Sequence, residues 1–117
     1  MVSIASARKI ALACPASVEG EHMGHPDFRV GGKIFMTLQP ARKAAVVKLA
    51  QADQHALVQM DPEAFSIGAW GGQGFTHVNL ARVNAAQLRA LAVAAWRHVA
   101  PQRLLDRNAD KLRPALV

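Results

Sequence analysis

The chain has no tyrosine, a single cysteine and few aromatic residues, which make up 5% of its 117 positions. Each shortage excludes something. Cys14 alone cannot form an internal disulfide, and one cysteine supplies no thiolate framework for a metal, so a reducing compartment is expected. With no tyrosine and much alanine, the core has to be light and helix-friendly. No apolar run approaches the roughly twenty residues that a membrane span needs. Arg8 and Lys9 follow the apolar residues of the N-terminus, the reverse of a secretory signal, which makes the cytoplasm the expected location.

Acidic residues are the other shortage. The eight that exist stand at Glu19, Glu21 and Asp27, at Asp53, Asp61 and Glu63, and at Asp106 and Asp110. None occurs from Ala64 to Leu105, where Arg82, Arg89, Arg97 and Arg103 lie. None occurs between Phe28 and Ala52 either, where Arg29, Lys33, Arg42, Lys43 and Lys48 lie. With a net charge of +6, two acid-free basic blocks imply a positive surface that attracts nucleic acid or another polyanion. Solubility alone is the plainer explanation of the same charges.

What is present suits one globular domain. Hydrophobic residues are 51% of the chain, enough to bury a core without staples. Ser3 or Ser6 caps a first helix whose apolar positions Ile4, Ala7, Ile10, Ala11 and Cys14 recur at helical spacing, and Pro15 ends it. After a loop through Gly20, Phe28–Val30 and Lys33–Leu38 read as two strands around a Gly31-Gly32 corner. An unbroken register pairs Val30 with Lys33 and Phe28 with Phe35. Gln39–Lys43 forms the next turn and Ala44–Leu49 a third strand. A second helix is expected from Ala52 to Met60, burying Ala56, Leu57 and Met60, with Asp61-Pro62 as its stop. Phe65–Gly74 reads as a glycine loop anchored by Ile67 and Trp70, and Thr76–Leu80 as a strand with Val78 and Leu80 inward. Asn84 with Gln87 is a capping-box signal for a last helix that buries Leu88, Leu91, Ala92, Ala95, Trp96 and Val99 and stops at Pro101. The order of elements predicts an α+β domain, an antiparallel β-sheet packed with helices, over residues 1–105, followed by a basic tail at 106–117.

Candidate chemistry is sparse. His22, His25 and Asp27, with Glu19 and Glu21 near, are residue types that ligate a divalent metal, but neither a helix nor cysteines fix their spacing. His25 and Asp27 equally suit the backbone groups of a turn. Ser17 and Ser66 lack the context of an activated nucleophile, and Cys14 reads as a small buried hydrophobe. Glu19 or Glu21 with His25 has the residue types for acid/base work, and nothing else in the sequence requires that role. The segment Trp70–Phe75 has the glycines of a phosphate loop without its lysine or its following helix. Trp70 itself is a candidate either for packing on the sheet or for stacking on a base.

Gly24-His25-Pro26-Asp27-Phe28-Arg29-Val30-Gly31-Gly32-Lys33-Ile34-Phe35 resembles the Gly-His-Pro-x-Phe-Arg-Val-x-Gly-Lys-x-Phe stretch of the MmcQ/YjbR family. Trp70-Gly71, Gly74-Phe75-Thr76, Val78 and Leu80 resemble the family's second block, and Trp96–Leu104 its C-terminal block. The resemblance implies a small bacterial α+β domain like that of secretion chaperones, with hairpins proposed to act as a double wing on DNA. It carries over no catalytic residue and no cofactor. Two departures stand in the second block: Gly72 where relatives commonly have Lys or Arg, and Phe75 where many have Trp.

Together these features predict a non-catalytic DNA-binding module. Lys33 at one hairpin tip and Arg42-Lys43 at the next would meet phosphates, with Arg29 and Lys48 flanking. The alternative is a protein-interaction or self-associating adaptor, in which Phe28 or Trp70 would meet a partner or a second copy.

Overall fold

Ser3 opens the first helix as its position before an apolar stripe requires. Its hydroxyl accepts the Ser6 backbone N–H at 3.1 Å, and helix α1 runs Ile4–Leu12 with Ala7 and Ala11 buried. In the computed structural model, which describes residues 1–68 and 73–108, the chain then builds a six-stranded antiparallel sheet. The strands are β1 (Val18–His22), β2 (His25–Val30), β3 (Lys33–Gln39), β4 (Ala44–Lys48), β5 (Phe65–Ile67) and β6 (Phe75–Asn79), in the spatial order β1-β2-β3-β4-β6-β5.

Two tight corners set up the meander. Met23 and Gly24 have φ of 51° and 81°, and Gly31 and Gly32 have φ of 59° and 80°, the paired left-handed conformations of a type I′ hairpin turn. The expected loop before Gly24 is therefore strand β1. Every residue of β1 is exposed or half-buried, so it lacks the in-out alternation that marks a strand in sequence, and backbone pairing to β2 holds it.

The β2–β3 hairpin starts as expected, with Val30 opposite Lys33 and Arg29 opposite Ile34, but Phe28 then faces Met36. A bulge at this point corrects the expected Phe28–Phe35 pairing. Two residues of β3 oppose one of β2, which turns both Phe35 and Met36 into the core, where they are 0% and 1% exposed. Phe28 is also 0% exposed, which removes it as a contact for any partner.

Between β4 and β5 lies α2 (Gln51–Met60). Its expected apolar face is not buried: Met60 is 72% exposed, Ala56 is exposed and Leu57 is half-buried. The helix is instead anchored by Gln54, whose buried amide donates to the Phe75 carbonyl at 3.0 Å. Phe65–Ile67, expected as loop, is the short edge strand β5, because Phe65 pairs with Val78 of β6. Trp70 and Gly72 lie outside the described residues.

The main helix α3 (Ala85–Val99) opens on the predicted capping box. Gln87 N–H donates to Asn84 Oδ1 at 2.8 Å and Asn84 N–H donates to Gln87 Oε1 at 2.9 Å. It buries Leu88, Leu91, Ala92, Ala95 and Trp96 against α1 and the strands β3 and β4. Each fully buried side chain of the Leu or Phe class contributes about 1.5–3 kcal/mol here. The Trp96 indole N–H donates to the Pro15 carbonyl at 2.8 Å, tying α3 to the end of α1. After Pro101 a short helix α4 (Gln102–Arg107) buries Leu104, so Asp106 and Arg107, expected in a tail, complete a helix. Residues 109–117 lie outside the described residues.

The cluster of Phe28, Val30, Met36, Leu38, Ala45, Val47 and Val78 defines the sheet face beneath α1 and α3. Strand alternation turns Arg29, Thr37, Val46, Lys48, Phe75 and His77 the other way.

Candidate nucleic-acid interface

The predicted phosphate contacts divide between two ends of the sheet. Lys33 is the first residue of β3, and Arg42-Lys43 follow its last, Gln39. Seven residues at about 3.3 Å each separate the two ends by roughly 20 Å. Successive turns of a meander lie at alternate ends, so Lys33 and Arg42-Lys43 stand at opposite ends of β3.

At the Gly31-Gly32 end the structure brings three of the predicted residues together. Arg29, Lys33 and Lys48 line a cleft of about 390 Å³ with Gly32, Ile34, Phe75, His98 and Val99. No acidic side chain lines it among the described residues. Lys48 and Phe75 are cross-strand partners in the β4–β6 register, and the Lys48 ammonium rests over the ring, Nζ 5.1 Å from its centroid. His98 and Val99 arrive from the last turn of α3, where cations are favoured by the helix dipole. The α3–α4 junction is packed against the hairpin corner: a Cβ on Gly31 would stand 2.9 Å from Pro101 Cδ.

Arg29 has a second duty. Its Nε donates to Asp27 Oδ1 and its Nη2 to Asp27 Oδ2, both at 3.0 Å, and Asp27 is 0% exposed. The hydrogen bond to Asp27 and that carboxylate's charge raise the pKa of Arg29 further, so its charge is permanent. The pair packs over Gly20 of β1, where a Cβ would lie 2.9 Å from Asp27 Oδ1.

At the opposite end, Pro40–Arg42 form a 3₁₀ turn and Lys43 takes a left-handed conformation at φ 51°. The Lys43 carbonyl accepts the Leu80 N–H at 3.1 Å, which fixes the turn to the end of β6. Arg42 is exposed, and its charge assists burial in lowering the pKa of His77.

The fold separates Asp27 from the two histidines considered with it for metal binding. His22 and His25 face each other across the Met23-Gly24 corner and are exposed, while Asp27 is buried with both oxygens on Arg29. Among the described residues no group of three or more His, Cys, Asp or Glu is placed to hold a metal ion. The Cys14 thiol is buried, and burial pushes its pKa up to about 11, so it is held in the protonated form that does not attack. In the second basic block, Arg82 is paired with Glu63.

Two cleft residues, Phe75 and His98, were not identifiable from sequence as partners of the lysines. Their signal was strand alternation and helix end position, and neither places a residue beside Lys48 until the β4–β6 pairing is known.

The fold and this sheet order define a small α+β domain with one antiparallel sheet. The model of the YjbR family matches residues 12–98, from the end of α1 to the last turn of α3, and the chain belongs to that family. The architecture is also similar to the crystal structure of the Deinococcus radiodurans protein DR2400, a DUF419 domain protein, with a TM-score of 0.73. The match covers 98% of this chain and 85% of that one at 17% identity, a likeness of fold. No curated protein matches the chain. No helix among the described residues is long and apolar enough to cross a membrane.

Proposed function

We propose that the chain is a non-catalytic nucleic-acid-binding module of the bacterial cytoplasm that holds phosphates at the Gly31-Gly32 end of its sheet. The observation that carries this reading is the convergence of Arg29, Lys33 and Lys48, from three adjacent strands, on one cleft without an acidic lining residue among those described. Such contacts give affinity and register without sequence readout. Three phosphate contacts correspond to a log–log salt slope of roughly −2.7 on duplex DNA and roughly −2 on a single strand.

The test is fluorescence anisotropy of a short labelled oligonucleotide titrated at several salt concentrations. Replacing Lys33 and Lys48 with Ala is expected to weaken binding about tenfold or more and to flatten the slope by roughly two contacts. Replacing Arg42 and Lys43 with Ala is expected to change a short oligonucleotide's affinity far less. Salt-independent binding, or equal loss from both double variants, removes the proposal.

A second reading, a self-associating or protein-binding adaptor, rests on exposed apolar residues at the β1–β2 hairpin, where Val18 is 64% and Met23 82% exposed. Light scattering on the eluting protein separates the two: a stable dimer that Val18→Lys and Met23→Lys dissolve supports the adaptor.

A further inference from the structure

The cleft combines two kinds of lining that a phosphate site alone does not need. Lys33 and Lys48 supply ammonium groups, while the half-buried Phe75 ring, Ile34 and Val99 supply an apolar wall. At about 390 Å³ the space is of nucleotide size. A duplex keeps its base faces stacked on one another and shows only edges in its grooves, which are read by elements that protrude into them. A concave cleft offers a duplex nothing but its rim. An unstacked nucleotide, by contrast, presents a flat π-face together with a phosphate one sugar away, and cationic grooves with aromatic platforms are the means by which single strands are held.

The Lys48–Phe75 contact fits that use. The ammonium lies over the ring at 5.1 Å, so the aromatic surface is covered by a long, flexible cation. An entering base would take the place of the ammonium on the ring, and the displaced ammonium would meet the phosphate of the same nucleotide.

We infer that the cleft takes one unstacked nucleotide of a single strand, its base against Phe75 and its phosphate on Lys33 and Lys48, an inference that rests on the phosphate-binding reading above. Single-stranded nucleic acid, not duplex, is then the preferred ligand.

The experiment compares a labelled oligodeoxythymidylate of about a dozen nucleotides with a duplex of the same length at one salt concentration. The strand is expected to bind about tenfold tighter or more, the scale of one base–aromatic stack. Phe75→Leu is expected to weaken strand binding about tenfold and so remove that preference, and Phe75→Tyr, which keeps the ring, to retain it. Should the leucine variant fail to fold, the Phe75 ring proton resonances of the unaltered protein serve instead, and they are expected to shift on adding the strand and not on adding duplex. Duplex binding as tight as strand binding, or strand binding that ignores Phe75→Leu, overturns the inference and leaves phosphate binding standing. Thymidine monophosphate that binds as tightly as the strand also overturns it, since the ligand is then a free nucleotide. Absence of binding to strand and duplex alike at low salt removes both readings together.

Discussion

Asp27 and Arg29, two residues apart on β2, hold each other by a two-point ion pair in which the carboxylate is fully buried and the guanidinium reaches the cleft. The two partners are unequal. Without Arg29, the Asp27 carboxylate would remain out of water with no cation; without the Asp27 charge, Arg29 can still turn its guanidinium to solvent, since its side chain is 40% exposed. Arg29→Met is therefore expected to lower the melting temperature more than Asp27→Asn does. The double variant should recover part of the loss, and a thermal melt of all three proteins checks it. Asp27→Asn also releases Arg29 from its partner, so binding of a short oligonucleotide should hold or tighten while stability falls.

The buried thiol gives a second prediction. With a pKa pushed up to about 11 by burial, Cys14 exposes a thiolate fraction on the order of one in ten thousand at neutral pH, against a few per cent for a free cysteine. Reaction with a thiol reagent should be slower by about two orders of magnitude in the folded protein than in denaturant. A folded-state rate near that of free cysteine would show that Cys14 is not enclosed by α1 and α3.

Acid sensitivity follows from His77. Its ring is half-buried on β6 against the backbone at Gly68, and burial, assisted by the charge of Arg42, lowers its pKa below the usual histidine value of 6.5. The unfolded chain then binds a proton that the folded chain refuses, so stability is lost as pH falls from about 6.5 through the folded pKa. His77→Gln should flatten the decline in melting temperature between neutral pH and about pH 5, above the range where carboxylates dominate. Arg42→Ala should flatten it in part. An unchanged acid limb in both variants would assign the decline to other groups.

The helices were largely legible in the sequence because their signals are local. Ser3, the Asn84–Gln87 reciprocal cap and the Leu88–Trp96 stripe each act within a turn or two of the chain. The strands were legible where they alternate, as at Thr76–Leu80. They were hidden where burial does not alternate: β1 is open on both faces, and β5 has three residues. The bulge opposite Phe28 has no local signal either. Phe35 and Met36 are both apolar, and only the packing of α3 on β3 decides that both turn inward. The α2 face failed for a related reason: a polar Gln54 that reaches a backbone carbonyl outweighs the apolar Met60, which no neighbour covers.

The candidate site was legible as a set of residues and not as a place. Charge counting picks out Arg29, Lys33, Arg42, Lys43 and Lys48 equally. Their division depends on which turn falls at which end of β3, and the meander puts Lys33 and Lys48 at one end with Arg42 and Lys43 at the other. Phe75 joins the lysines only through β4–β6 pairing, a contact between segments more than twenty-five residues apart.

The hairpin corner beside the cleft offers the sharpest separation of fold from function. Gly31 and Gly32 both have positive φ, so an alanine at either costs about 1 kcal/mol for its conformation alone. Beyond that they differ. A Cβ on Gly32 meets nothing within 4 Å, while a Cβ on Gly31 would press on Pro101 Cδ at 2.9 Å and Cγ at 3.2 Å. Pro101 is the residue just before α4, and the turn of α3 before it carries His98 and Val99 into the cleft. Gly32→Ala should therefore lose about 1 kcal/mol in chemical denaturation, whereas Gly31→Ala should lose about 2–3 kcal/mol, the added part being overpacking. Because relief of that contact has to move Pro101 or the corner that presents Lys33, Gly31→Ala should also weaken binding at temperatures where the variant is fully folded. If the two variants lose equal stability, the corner is not packed on Pro101. If Gly31→Ala is destabilised but binds normally, the cleft does not depend on the joint between the hairpin and α3.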